Sequence, residues 1–227
     1  MQMSHRSSVP VNTLKGSVLL IAFTLGSASL ASSPETPCAI SSETKLPFFG
    51  DLHIHTRYSF DSYLSNQKND PDGAYEYAKG RVITLPNAYG DQTISAQIDR
   101  PIDFAAVTDH GQFLGEVALC DSDWSQAAWW APVCLMSRAQ NLWIQLYAAS
   151  LWTVSGGMEG KAPERGMVCA LGDCETSALS VWGDIQAAAE RHYDRSEDCS
   201  FTTFVGYEYT QGQEMANLHR NVIFRNK

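Results

Sequence analysis

Apolar residues in this chain gather in short runs, and several of those runs end in polar residues able to do chemistry. The first is Phe49-Gly50-Asp51-Leu52-His53-Ile54-His55-Thr56. In a strand, side chains two apart share a face, so Asp51, His53 and His55 are expected on one side, with Leu52 and Ile54 buried on the other. Pro101 to His110 is a second strand, apolar almost throughout and ending in Thr108-Asp109-His110, as expected for a parallel strand covered on both faces. Phe201 to Thr210 is a third, rich in aromatic and β-branched residues, with Glu208 near its end. Turn residues at Gln211–Gln213 then feed Asn217 to Arg225, which carries His219.

Helical signals fall between these strands. Asp70 caps a short helix that has Pro71 in its first turn and Gly80 as its stop. Arg81 to Leu85 reads as extended, and Gln92–Ile98 as a short helix or turn. Phe113 to Cys120 and Ser137 to Trp152 have helical composition. In Glu175 to His192, the residues Ala178, Val181, Trp182, Ile185, Ala188, Ala189 and His192 recur at three- and four-residue steps, predicting an amphipathic helix. His192 at its tail is expected to be structural or superficial. Residues 121–170, with Trp124, Trp129, Trp130 and Trp152, read as an insertion whose aromatics serve packing.

The strand ends are where the chemistry collects. His53, His55, Asp61, Asp109, His110, Glu208 and His219 all lie at predicted strand ends or in adjoining loops. Parallel neighbours would bring these ends to one rim, where sites in such folds gather. H-x-H alone equally suits a solvated strand end. Four of the six histidines beside three carboxylates point instead to divalent metal, with zinc and manganese both accepting this donor mixture.

These residues resemble the motifs of the polymerase-and-histidinol-phosphatase (PHP) superfamily of metal-dependent phosphoesterases. Asp51-Leu52-His53-Ile54-His55-Thr56-Arg57-Tyr58-Ser59, Thr108-Asp109-His110 and Gly206-Tyr207-Glu208 followed by His219 match its first three motifs. Over roughly residues 46–227 the wording is similar, more narrowly, to the DUF3604 branch. The resemblance implies an α/β fold, a distorted β/α barrel with up to three metals on one rim. It implies that His53 and His55 hold the first metal, that Asp61 and His110 hold the second, and that His219 holds the third. Glu208 would bridge the first to another and share the third with His219. Asp51 and Asp109 would support the imidazoles, and Asp109 would also shuttle a proton. Arg57 and Arg220 are the candidates for gripping a substrate anion, although each suits a solvated surface equally well.

The implied reaction is hydrolysis of a small anionic substrate, a phosphoester first, by metal-activated water. An amide, lactone or sulfate ester is the alternative, and a non-catalytic secreted metal-binding or interaction domain is a third. The superfamily closes its site with a further histidine and a late Asp-x-His pair, and neither follows His219. Residues 48–227 are therefore expected to be the front part of a longer barrel with an incomplete site.

Composition adds the setting. The 227 residues carry 25 acidic and 16 basic side chains, a net charge of -9, which argues against non-specific binding of nucleic acid or anionic membrane. Arg6 and Lys15, the apolar stretch Gly16 to Leu30, and Ser29-Leu30-Ala31 form a signal-peptide pattern over 1–31. Its apolar run is short for a membrane anchor. An irregular lead-in over 32–47 follows. Export to the periplasm or beyond would permit disulfides among the six cysteines, with Cys169 and Cys174 the easiest pair. Dinucleotide and P-loop glycine patterns are absent, as are local signatures of Ser or Cys nucleophiles.

Overall fold

The computed structural model describes residues 44–86, 93–139, 141–155, 166–213 and 216–225. The expected signal segment and most of the lead-in lie outside them. The fold is mixed α/β, built around an open four-stranded sheet in the order β1-β4-β5-β6. These strands are β1 (Gly50–Ile54), β4 (Phe104–Val107), β5 (Thr202–Gln213) and β6 (Ala216–Ile223). β1, β4 and β5 run parallel, whereas β6 returns antiparallel to β5. Between them come α1 (Phe60–Leu64), α2 (Pro71–Ala78), α3 (Leu114–Cys120), α4 (Pro132–Ser137), α5 (Leu142–Ser155) and α6 (Cys174–His192).

β4 is the buried centre, with Ala105, Ala106 and Val107 fully enclosed. Helices α2 and α6 cover the sheet, packing Tyr75, Val181, Ile185 and Ala188 against Ala105, Val107 and Phe201. Asp70 accepts from the N–H of Gly73 at 2.9 Å and caps α2 as expected. Gly80 takes a φ of +79° just beyond that helix, a conformation that glycine adopts without steric cost. A second cluster joins α1, α3, α4 and α5 through Tyr63, Phe113, Val117 and Trp152. Disulfides Cys120–Cys134 and Cys169–Cys174 tie this region to α4 and to the start of α6.

Several expectations change. The short helix or turn expected over Gln92–Ile98 gives way, from Thr93 on, to a strand: Thr93–Ala96 form β3, paired antiparallel with β2 (Ile83–Pro86), where Thr93 and Ile94 suit a ladder better than a helix; Gln92 lies outside the described residues. The expected helix over Ser137–Trp152 divides into α4 and α5, because Asn141 takes the N–H groups of Trp143 and Ile144 and starts a new helix. β5 runs through the expected turn at Gln211–Gln213 and makes a long hairpin with β6. Leu52 is 38% exposed rather than buried, since β1 is an edge strand.

His192 is structural, as expected, and joins α6 to α2. Asp72 accepts from Arg191 through Nε at 3.0 Å and Nη2 at 2.6 Å, and lies 2.9 Å from His192 Nε2. The Arg191 guanidinium holds the Asp72 carboxyl below its ordinary value. A depressed folded value means that this stabilisation is present above the unfolded carboxylate value and is lost as pH falls through the folded one. Asp72→Asn is expected to lower the melting temperature at neutral pH and to match the parent in strong acid. Equal deficits at both ends of a pH series would remove the clasp from the explanation.

Candidate metal centre

The site forms where β1, β4 and β5 end, and sheet register explains its assembly. β4 and β5 pair with Val107 opposite Val205. The same offset continues past β4 as an isolated bridge between His110 and Glu208, sealed by Glu208 N–H donating to the Asp109 carbonyl at 3.0 Å. In the hairpin, His219 stands opposite Thr210. It therefore shares a face with Glu208, two residues earlier. His219 thus arrives on an antiparallel return rather than on a further parallel strand.

β1 adds two more imidazoles through an irregularity. Its register against β4 shifts between Asp51 and Ile54, and such a bulge re-aims side chains. His53 Nε2 and His55 Nε2 both face Glu208 Oε2, at 3.1 and 2.7 Å. The Asp51 carboxylate accepts from the backbone N–H of His53 at 2.8 Å. Asp51 thus braces the irregular strand rather than an imidazole ring.

Glu208 is the centre of the arrangement. It is 1% exposed, and its other oxygen, Oε1, pairs with His219 Nδ1. His110 Nε2 lies 3.6 Å from Oε2. Burial by itself pushes the Glu208 carboxyl up, but His110, His219 and His55 outweigh it and hold the group below its usual value. Burial likewise pulls His55 down, and the carboxylates of Asp61 and Glu208 more than reverse this.

Asp61, in the first turn of α1, lies 2.9 Å from His55 Nδ1 and 3.7 Å from His110 Nε2. Burial raises its carboxyl, but His110, His55 and Ser59 hold it far below the ordinary range. Among the described residues, three sets of donors each lie within 4.8 Å of one another around this rim: His53, His55 and Glu208; His55, Asp61 and His110; and His110, Glu208 and His219. A fourth set, Glu116 with Cys169 and Cys174, is closed to metal while those cysteines are bonded to each other.

The remaining candidates sit elsewhere. Asp109 is fully buried, and its two oxygens accept from the N–H and the hydroxyl of Thr56. Burial pushes its carboxyl up to about 6. It holds Thr56, the residue after His55. Arg57 is committed to Asp121 through Nη2. Arg220 is exposed and pairs with Tyr209, which puts it on the sheet face opposite Glu208 and His219. Neither arginine is placed to grip a substrate at the rim.

Sequence reasoning missed two contributors. Thr210, two residues after Glu208, lies 2.8 Å from His110 Nδ1 and 3.1 Å from His219 Nδ1. Ser59 Oγ donates to Asp61 at 2.6 Å. The period of two along β5 could have found Thr210; Ser59 closes the first sequence motif, and the turn geometry supplies the role the motif left open. Beside the open edge of β1 lies a cleft of about 620 Å³, bordered by His53 and His55 and lined mainly by apolar residues such as Ile83, Leu85 and Ile102.

Fold and site together define a mixed α/β protein with buried His, Asp and Glu clusters able to chelate a divalent ion, as in a metal-dependent enzyme. The chain belongs to the DUF3604 family, "Protein of unknown function (DUF3604)", whose model matches residues 42–227. No match was found among curated proteins or among solved structures. Among the described residues, no helix is long and apolar enough to cross a membrane.

Proposed function

We propose that this chain carries the metal centre of a PHP-type hydrolase, with a phosphoester as the preferred substrate. The observation that carries the reading is Glu208, a buried carboxylate faced by four imidazoles from β1, the end of β4 and β6. A buried anion without partners is costly, and a structural ion pair needs one cation rather than four. The donor set suits zinc or manganese. His53, His55 and Glu208 would hold one ion, and His110, His219 and Glu208 another. A divalent ion bound there supplies an acidified water and neutralises charge on the leaving oxygen.

The chain's own residues supply placement. Glu208 fixes the imidazoles from its buried position, and Asp109 holds the turn after His55 through Thr56. Thr210 orients His110. With Arg57 and Arg220 directed elsewhere, recognition of an anionic substrate would rest on the ions. Export belongs to the same proposal: the leader pattern of residues 1–31 is supported by the Cys120–Cys134 and Cys169–Cys174 bridges, which suit an oxidising compartment.

The test is turnover by the chain loaded with Zn²⁺ or Mn²⁺, on a panel of phosphomonoesters, phosphodiesters, carboxylic esters, lactones and sulfate esters. Phosphoester hydrolysis that disappears with a chelator, before the melting temperature falls, is the expected result. A metal-dependent melting temperature with no turnover on any substrate would identify a structural ion instead.

A further inference from the structure

Away from the rim, the fourth donor set combines a bonded pair of cysteines with a buried carboxylate. Glu116 is buried in α3, and its Oε1 lies 3.2 Å from Cys169 Sγ. One oxygen of Glu116 and both sulfurs lie within 4.8 Å of one another. The contact between two helices brings them together. Gly115 of α3 meets the start of α6 so closely that a Cβ would strike the carbonyl of Cys174, and Glu116 is the next residue.

The two disulfides of the described residues differ in how readily they open. Cys120 and Cys134 are fully buried, with a sequence separation of 14. Cys169 is half-buried, and its separation from Cys174 is 5. Closing a short loop restrains the unfolded chain less, and thiol exchange needs access to a sulfur. A dithiol therefore attacks Cys169 Sγ and breaks its bond to Cys174. Cys174 leaves as a thiolate at the first position of the 19-residue α6, where the positive end of a helix stabilises it. The second thiol of the attacking molecule then displaces Cys169. The dithiol becomes a disulfide, and two electrons and two protons pass to the cysteine pair.

Glu116 decides which state persists. Beside its carboxylate, two thiolates repel both it and each other, which favours return to the bridge. With Zn²⁺ present the same three anions are ligands, and the two thiol protons leave to solvent. Two sulfurs, one carboxylate oxygen and a water complete the four positions that zinc prefers. Glu116 borders a cavity of about 220 Å³ shared with Phe113, Trp152 and Val168, ample for that water. Cys120 and Cys134 belong to no such set among the described residues.

We propose that Glu116, Cys169 and Cys174 form a redox-gated zinc site. A dithiol opens the bridge, zinc replaces it as the tie between α3 and the start of α6, and a disulfide oxidant restores the bridge and expels the ion.

The experiment uses Co²⁺ on the full chain, because thiolate-to-cobalt charge transfer gives an absorption band that the histidines and carboxylates of the rim cannot give. The chain is treated with dithiothreitol, freed of it by gel filtration without oxygen, and titrated with Co²⁺. Alkylation with peptide mass mapping identifies the opened bridge. Opening of Cys169–Cys174 with Cys120–Cys134 intact is expected, together with a thiolate band that Zn²⁺ displaces. The untreated chain should show no band, and Cys169→Ser should show none after reduction. Glu116→Gln should bind this ion at least about tenfold more weakly. Circular dichroism checks each variant, and Glu116→Ala repeats the titration if Glu116→Gln fails to fold. An opened bridge without the band, a band unchanged by replacing Glu116, or a bridge that resists reduction until the chain unfolds would overturn the proposal.

Discussion

Glu208→Ala is expected to abolish detectable metal coupling at the rim and to weaken binding of the remaining ion by at least about 100-fold, the upper end of what losing a ligand's outer partner costs. Among the described residues, Glu208 is the one carboxylate that faces His53, His55 and His219 together within ion-pair range. No other carboxylate among the described residues is placed to replace it, because Asp61 serves the His55–His110 side and Asp109 is enclosed by Thr56. Metal-dependent hydrolysis should fall with the metal. Glu208→Gln, which keeps size and one oxygen, should fall less in metal affinity yet still lose the bridge. Elemental analysis of both variants beside unchanged circular dichroism decides the matter, and parental metal content in Glu208→Ala would sink the centre described above.

The second large effect is on stability. Gly115→Ala is expected to cost about 3 kcal/mol, the upper part of the range for overpacking a close contact. Gly115 is buried in α3, and a Cβ there would collide with the carbonyl of Cys174 at the start of α6. A side-chain obstacle could rotate aside, but this one is backbone, and Cys174 is further anchored by its bond to Cys169. The two helices would have to separate, and α6 carries Val181 and Ile185 into the core under the sheet. Urea unfolding monitored through tryptophan fluorescence would measure the loss. A change below about 0.5 kcal/mol, the size of ordinary surface substitutions, would show that the start of α6 yields freely.

Much of this architecture was legible because its periods are simple. The face of Glu175–His192 was readable from its three- and four-residue spacing, and Val181, Ile185, Ala188 and Ala189 are buried on α6. Asp70, Pro71 and Gly80 marked α2 by capping chemistry that acts within a few residues. The convergence of His53, His55, His110, Glu208 and His219 followed from strand ends sharing a rim, although the antiparallel direction of β6 was not visible. Direction depends on how the hairpin pairs, and β5 continues through Gln211–Gln213, where the sequence pointed to a turn.

What stayed hidden depends on partners far apart in sequence. The pairing of Arg57 with Asp121 spans 64 residues, so nothing beside Arg57 reveals that its charge is spoken for. Asp109 looked like a group at a strand end, yet its role depends on Thr56, 53 residues earlier. Asp51 shows the opposite limit. Its side chain reaches forward two residues to the backbone N–H of His53, a local contact that strict alternation along an ideal strand does not anticipate.

The distances along the chain also set an order of events. His53 and Glu208 meet across 155 residues, through parallel pairing in which β4 must lie between β1 and β5. Contacts of that span close late, because the loop entropy must be overcome before they return any energy. During synthesis or refolding, a cation would therefore first meet His53, His55 and the nearby Asp61, before the buried Glu208 arrives. Tight capture would wait until the β5–β6 hairpin docks, which would make metal a lock on the finished sheet rather than a template for building it.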